Sequence, residues 1–124
     1  MLNKVEVNFQ LLDILKEDLD DKMYDIIVSN PPYVLESDKK EMATSVLDYE
    51  PELALFVPDA EPLKFYKRIT GIACNHLVKG GKLYFEIHEN FGAEVKDLLA
   101  KAGFIDVQII QDLQGKDRIV KGIK

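Results

Sequence analysis

The feature that most restricts the fold is the run Tyr24-Asp25-Ile26-Ile27-Val28, ended by Ser29-Asn30 and followed at once by Pro31-Pro32-Tyr33. A short, nearly continuous apolar run is what a strand covered on both faces of a parallel sheet requires. Two prolines cannot extend it. Neither has a backbone N–H to give to a ladder, and each holds the residue before it in extended geometry. The strand therefore has a fixed end, and Asn30 stands there.

The remaining pattern supplies the sheet and its helices. Val5, Val7 and Phe9 alternate with polar residues, which predicts a short strand over 4–9. Leu12, Leu15 and Leu19 share one face of one or two helical turns, and Asp20-Asp21-Lys22 makes a solvated turn. Residues 30–61 hold four of the five prolines and many charges, and read as a long loop with one helical turn near 38–47. Pro62 suits the first turn of a helix. Phe65, Ile69, Ile72 and Ala73 give that helix its apolar stripe, and Gly80-Gly81 closes it.

Leu83 to Ile87 reads as the next strand. Residues 91–102 form a second amphipathic helix, with Val95, Leu98, Leu99 and Ala102 as its stripe and Gly103 as its stop. Phe104–Ile110 and Arg118–Ile123 read as two strands joined across Leu113 to Asp117. The order is strand, helix, strand, loop, helix, strand, helix, strand, strand. That is an α/β fold, one domain at 124 residues, with a largely parallel sheet and an antiparallel C-terminal hairpin. In open sheets of this kind ligands sit beyond the carboxyl ends of the strands, where Asn30 lies.

The local chemistry at that end is a display of acceptors. With no N–H on Pro31 or Pro32, the polar groups offered are backbone carbonyls and the Asn30 side-chain oxygen, and Tyr33 adds a flat face. Acceptors beside an aromatic plane suit a planar –NH2 group, whose hydrogens they take while its nitrogen points at an electrophile. Orientation alone lowers barriers by up to about 7–11 kcal/mol in the best intramolecular systems, so no strong general base is needed. The reaction suggested is alkylation of a planar nitrogen. Asn-Pro also occurs in ordinary turns, and on four residues alone that reading has equal weight.

Other residues restrict function less. Cys74 is the only cysteine, which excludes an internal disulfide and a cysteine-based metal site; it reads as a small buried hydrophobe. No metal site is expected. His88 reads as a structural histidine and His76 as a surface or satisfied one. No apolar run has the length of a membrane span and no export signal is visible, so a cytoplasmic protein is expected. Net charge is −6, with residues 1–60 at −9 (5 bases, 14 acids) and residues 61–124 at +3 (11 bases, 8 acids). An acidic surface around Asn30 repels a phosphate backbone and tolerates a basic protein partner.

Val28-Ser29-Asn30-Pro31-Pro32-Tyr33 resembles the motif of amino-methyltransferases that use S-adenosylmethionine. Glu50-Pro51-Glu52-Leu53-Ala54-Leu55, Phe85-Glu86-Ile87 and the run Asp112 to Val120 narrow this to the HemK/PrmC family of protein-glutamine N5 methyltransferases, over about Val5 to Gly122. The resemblance implies a partial Rossmann-like class I methyltransferase fold, with family sheet order 3-2-1-4-5-7-6. It implies methylation of the glutamine of the Gly-Gly-Gln motif in peptide chain release factors. Asn30, Pro31, Pro32 and Tyr33 would hold the substrate amide, with Asn30 as the catalytic position and also near the methyl donor. Asp13 and Ile14 would lie by the donor's adenine. Asp13 reads equally well as a surface acid at a helix end. His88 stands where the family commonly has glycine, and Phe56 to Pro62 departs from its Gly-rich stretch.

The resemblance also implies an absence. The Gly-rich turn and the acid that hold most of the cofactor in such enzymes have no counterpart here, since Gly80-Gly81 lies in the wrong context. The chain is therefore expected to be the C-terminal part of a longer catalytic domain, impaired or inactive alone and binding S-adenosylmethionine weakly or not at all. Segment 4–9, without its neighbour, is expected to pair with 24–28 or to join two copies through uncovered edges. Two other readings remain open: a nucleic-acid amino-methyltransferase (adenine N6 or guanine N2), disfavoured by the acidic first half, and a non-catalytic interaction module of the same fold.

Overall fold

The computed structural model describes residues 5–32, 34–35, 56–57 and 61–124. Strand β1 is Tyr24–Ser29, β2 is Val34–Leu35 and β3 is Phe56–Val57. Helix α1 is Lys64–His76, strand β4 is Leu77–Glu86 and helix α2 is Gly92–Lys101, entered through a 3-10 turn at Glu89–Phe91. Strands β5 (Ile105–Gln111) and β6 (Asp117–Ile123) complete the chain. Tyr33, the helical turn expected near 38–47 and the Glu50–Leu55 segment lie outside the described residues.

Four strands form one sheet in the order β1-β4-β6-β5. β1 runs parallel to β4, whereas β4–β6 and β6–β5 are antiparallel. β2 and β3 form a separate parallel pair. The larger sheet is the 4-5-7-6 portion of the order implied by the resemblance. Its parallel character resides in the β1–β4 pair, and the C-terminal hairpin is antiparallel as expected. Gly103, at φ +97, closes α2, and the Phe104 amide donates back to Leu99 O at 3.1 Å.

The core lies on one face of this sheet. Leu83 and Phe85 of β4, Ile87 just after it and Val120 of β6 are fully buried beneath Tyr66 and Ala73 of α1 and Val95 and Leu99 of α2. Tyr66 anchors the packing. Its ring stands edge-on to Phe85 at 5.0 Å, and its hydroxyl donates to Glu86 O at 2.8 Å. A buried tyrosine with its hydroxyl satisfied contributes both area and a fixed orientation. The stripe read from the sequence named Phe65, which is half-buried, and passed over its neighbour.

Four expectations are corrected. β1 is not covered on both faces: Ile27 packs on the core, but Ile26 and Val28 are 56% and 74% exposed. Both described helices pack on the face of Leu83 and Phe85, so the opposite face carries no described layer. Gly80-Gly81 does not end α1. The helix stops at His76, where the Lys124 ammonium donates to Cys74 O and, at 2.8 Å, to Leu77 O. A cation on the last carbonyls of a helix both satisfies them and complements the dipole. The glycines instead bend the first part of β4: Gly80 has φ +83, and a Cβ on Gly81 would stand 2.8 Å from Val78 O and 3.1 Å from Asp25 O. The pairing of β1 skips there, from Tyr24↔Leu77 to Ile26↔Lys82.

Segment 4–9 is not a strand over its described residues, 5–9, and does not pair with 24–28. Val5, Val7 and Phe9 are 54%, 53% and 93% exposed. Alternation supplies an apolar face but not the edge on which a strand's backbone must hydrogen-bond. Cys74, expected to be buried, is half-buried, with its thiol 3.8 Å from Ala102 O.

Candidate active site

The parallel register carries β1 as far as Ser29↔Phe85, and the chain then leaves the sheet as Asn30-Pro31-Pro32. Pro31 is buried, Pro32 half-buried and Asn30 exposed. The stiff pair is thus seated in the protein while the amide ahead of it projects from the surface. Neither proline offers an N–H, so this corner presents acceptors.

Two clefts meet at Asn30. The larger, about 630 Å³, lies between the end of β1 and helix α1. Its walls include Ile14, Pro31 and Pro32 on one side and Phe65, Ile69 and Ile72 of α1 on the other. Among the described residues lining it there is no carboxylate, imidazole, ammonium or guanidinium; Tyr24, Ser29 and Asn30 supply the polar groups. Such a cleft suits a flat, mostly apolar ring with a few polar edges. The smaller, about 340 Å³, shares Val28, Ser29 and Asn30 and is bounded by Tyr84, Glu86 and Arg118.

The structure brings Ile14, Asn30, Pro31 and Pro32 together around the larger cleft. Asp13 is not among its walls. Its carboxylate accepts from the Leu15 amide at 3.1 Å, and its own amide donates to Glu17 Oε2 at 2.5 Å. Asp13 therefore caps the turn that carries Ile14. Tyr33 lies outside the described residues.

The turn is held by a residue that the sequence reading passed over. Arg68 of α1 donates through Nε to Ile14 O at 2.7 Å and through Nη2 to Glu17 O at 2.8 Å and Asp18 Oδ1 at 2.7 Å. These contacts span 50 residues or more, so no local spacing announces them. Phe65, Ile69 and Ile72 were legible only as a core stripe; the same spacing serves a cleft wall.

The Asp112–Val120 run builds the β5–β6 connection. Asp112 Oδ1 accepts from the Gln114 and Lys116 amides at 2.8 and 3.0 Å, and Oδ2 accepts from Arg118 Nε at 3.0 Å. The Lys116 amide, and after it the Arg118 guanidinium, hold the Asp112 carboxyl below the usual carboxylate range. Arg118 is thereby fixed at the rim of the smaller cleft. His88 caps the 3-10 turn: its Nδ1 accepts from the Asn90 amide at 3.0 Å, and its ring meets Phe91 edge-on. His76 Nδ1 lies 3.0 Å from Lys22 O.

No protein-family model matches the chain. It is 49% identical over 116 residues to the release factor glutamine methyltransferase of Bacteroides thetaiotaomicron, covering 93% of this chain and 42% of that protein. It is 47% identical over 122 residues to the enzyme of the same name from Flavobacterium psychrophilum, covering 98% of this chain and 42% of that protein. The chain thus spans about two-fifths of the length of these curated relatives. Among solved structures it resembles the release-factor-specific protein-(glutamine-N5) methyltransferase of Alicyclobacillus acidocaldarius, with a TM-score of 0.53, 25% identity, and coverage of 82% of this chain and 49% of that one.

Proposed function

We propose that this relative of the release factor glutamine methyltransferases, which matches their C-terminal part over more than nine-tenths of its length, forms the amide-holding portion of a protein-glutamine N5 methyltransferase. The substrate is the glutamine of the Gly-Gly-Gln motif in a peptide chain release factor, and the methyl donor is S-adenosylmethionine. The observation that carries this reading is the placement of Asn30-Pro31-Pro32 at the end of a parallel strand, against a cleft walled by Ile14 and α1.

The residues fit the adenine end of that donor: the cleft is mostly apolar and free of charge among its described lining. Ile14 would pack against the ring, and Asp13 belongs to the turn that carries it. When bound, S-adenosylmethionine supplies a methyl carbon activated by a sulfonium. The Asn30 side-chain oxygen and the Pro31 carbonyl take the two hydrogens of the substrate amide. Held this way, the amide nitrogen would face the donor, which would supply the methyl group and leave as a neutral thioether, the nitrogen's displaced proton passing to water. The larger cleft, uncharged among its described lining, fits a reaction driven by orientation.

The test is a chimera in which this chain replaces the matching segment of the Bacteroides thetaiotaomicron relative. With labelled donor, a Gly-Gly-Gln peptide is expected to acquire one methyl on the glutamine nitrogen, read by fragment mass spectrometry. Methylation of an adenine or guanine oligonucleotide in place of the peptide overturns the reading in favour of a nucleic-acid enzyme. Transfer to neither, from a folded chimera, favours the non-catalytic module.

A further inference from the structure

Helix α1 touches the larger cleft twice. Phe65, Ile69 and Ile72 form one wall directly, and Arg68, on the same helical face, reaches across to the turn that forms the other. Arg68 gives three hydrogen bonds to that turn, two of them to main-chain carbonyls. The turn's own bonds are the Lys16 and Glu17 amides to Asp13 O at 3.0 and 2.8 Å, together with the Asp13, Leu15 and Glu17 contacts within it. Among the described residues, Arg68 is the hydrogen-bonding link from residues 13–18 to the rest of the protein. Residues 5–11, leading into the turn, are exposed, so they do not brace it.

We propose that Arg68 is a positioning residue for the ligand of this cleft. By gripping the Asp13–Asp18 turn it fixes Ile14 opposite α1 and so sets the affinity for a flat purine such as the adenine of the methyl donor. This rests on the cleft reading given under the proposed function. A planar guanidinium suits the task, because its fork satisfies two carbonyls and a carboxylate from one side chain, which an ammonium cannot match. Where a site is competent for only a fraction of the time, apparent affinity falls by that fraction. Releasing the turn so that Ile14 is in place about one-fifth of the time therefore weakens binding about five-fold.

The experiment uses this whole chain, with adenosine at near-saturating concentration as the probe, because the chain alone is expected to bind weakly, and NMR as the readout. In the wild type, adenosine shifts the methyl signals of Ile14 and Ile69, and hydrogen exchange at the Lys16 and Glu17 amides is slowed. Arg68→Met is expected to speed exchange at those two amides, to weaken adenosine about five-fold, and to leave the amides of β6 protected. Arg68→Lys, which keeps one donor cation, is expected to fall between the two, and it carries the comparison if Arg68→Met loses protection in β6. Unchanged exchange at Lys16 and Glu17 overturns the grip. Faster exchange with unchanged adenosine affinity overturns its role at the cleft. Absence of any adenosine shift in the wild type overturns the purine assignment and the cleft reading beneath it, and is told apart because the two amides still respond to Arg68→Met.

Discussion

Asp112 holds Arg118 by a 3.0 Å hydrogen bond from the guanidinium Nε to the carboxylate Oδ2, at the mouth of the hairpin that completes the sheet. The same carboxylate closes the connecting turn through the Gln114 and Lys116 amides. One side chain therefore sets the turn and holds a cation that lines the same small cleft as Asn30.

This arrangement has a definite pH signature. Backbone and guanidinium donors favour the charged carboxylate, so the Asp112 pKa is lowered on folding. A depressed carboxylate contributes stability that is fully present above its unfolded value, about 3.9, and is lost as pH falls through the lower folded value. The hairpin amides of Gln114 and Lys116 are thus expected to keep their protection down to about pH 4 and lose it below. In Asp112→Asn that acid step disappears. Carboxyl and amide NMR titrations check both statements.

Asn30 is exposed, so its removal should leave the fold intact. In the chimera, Asn30→Ala is expected to lower kcat about 100-fold, the scale that misplacing a reacting group by an ångström costs. The thermal midpoint should move little. Equal activity of Asn30→Ala and wild type would remove Asn30 from the chemistry.

How much of this was legible in the chain follows from the range of each interaction. β1, α2 and the β5–β6 hairpin are set by short spacings, and Gly103 stops α2 where a left-handed residue is needed. The end of α1 was misplaced because it is set by Lys124, 47 to 50 residues away, and not by the nearer Gly80-Gly81. Segment 4–9 has the alternation of a strand, but alternation does not provide an edge to pair with. At the site, Asn30-Pro31-Pro32 were visible as a strand end, and Ile14 came only through resemblance. Arg68 was invisible, since its partners lie at least 50 residues off.

Tyr66 offers a test of the packing on the core face. Tyr66→Phe keeps the edge-on contact with Phe85 but removes the donor to Glu86 O. Leaving that carbonyl without the hydroxyl is expected to cost about 1 kcal/mol in urea unfolding, with the m-value unchanged. A neutral result would mean that Glu86 O is satisfied without the hydroxyl.

The remaining prediction concerns the face that the described helices leave open. The order β1-β4-β6-β5 puts β1 at an edge of the sheet, and Ile26 and Val28 project from it 56% and 74% exposed. Phe9, in the segment that failed to pair, and Leu11 just after it, 93% and 102% exposed, add apolar surface. An unpaired edge beside exposed aliphatic side chains is a template for another strand. This chain by itself is expected to associate with a second copy through β1, with a sedimentation coefficient that rises with concentration. Val28→Lys places a charge on the exposed face and should return the chain to a monomer, while leaving Ile27, which faces the core, in place. In the chimera the association should vanish even with Val28 intact if the added segment covers this face. A wild-type chain that stays monomeric at high concentration would show that the edge is protected by means other than pairing.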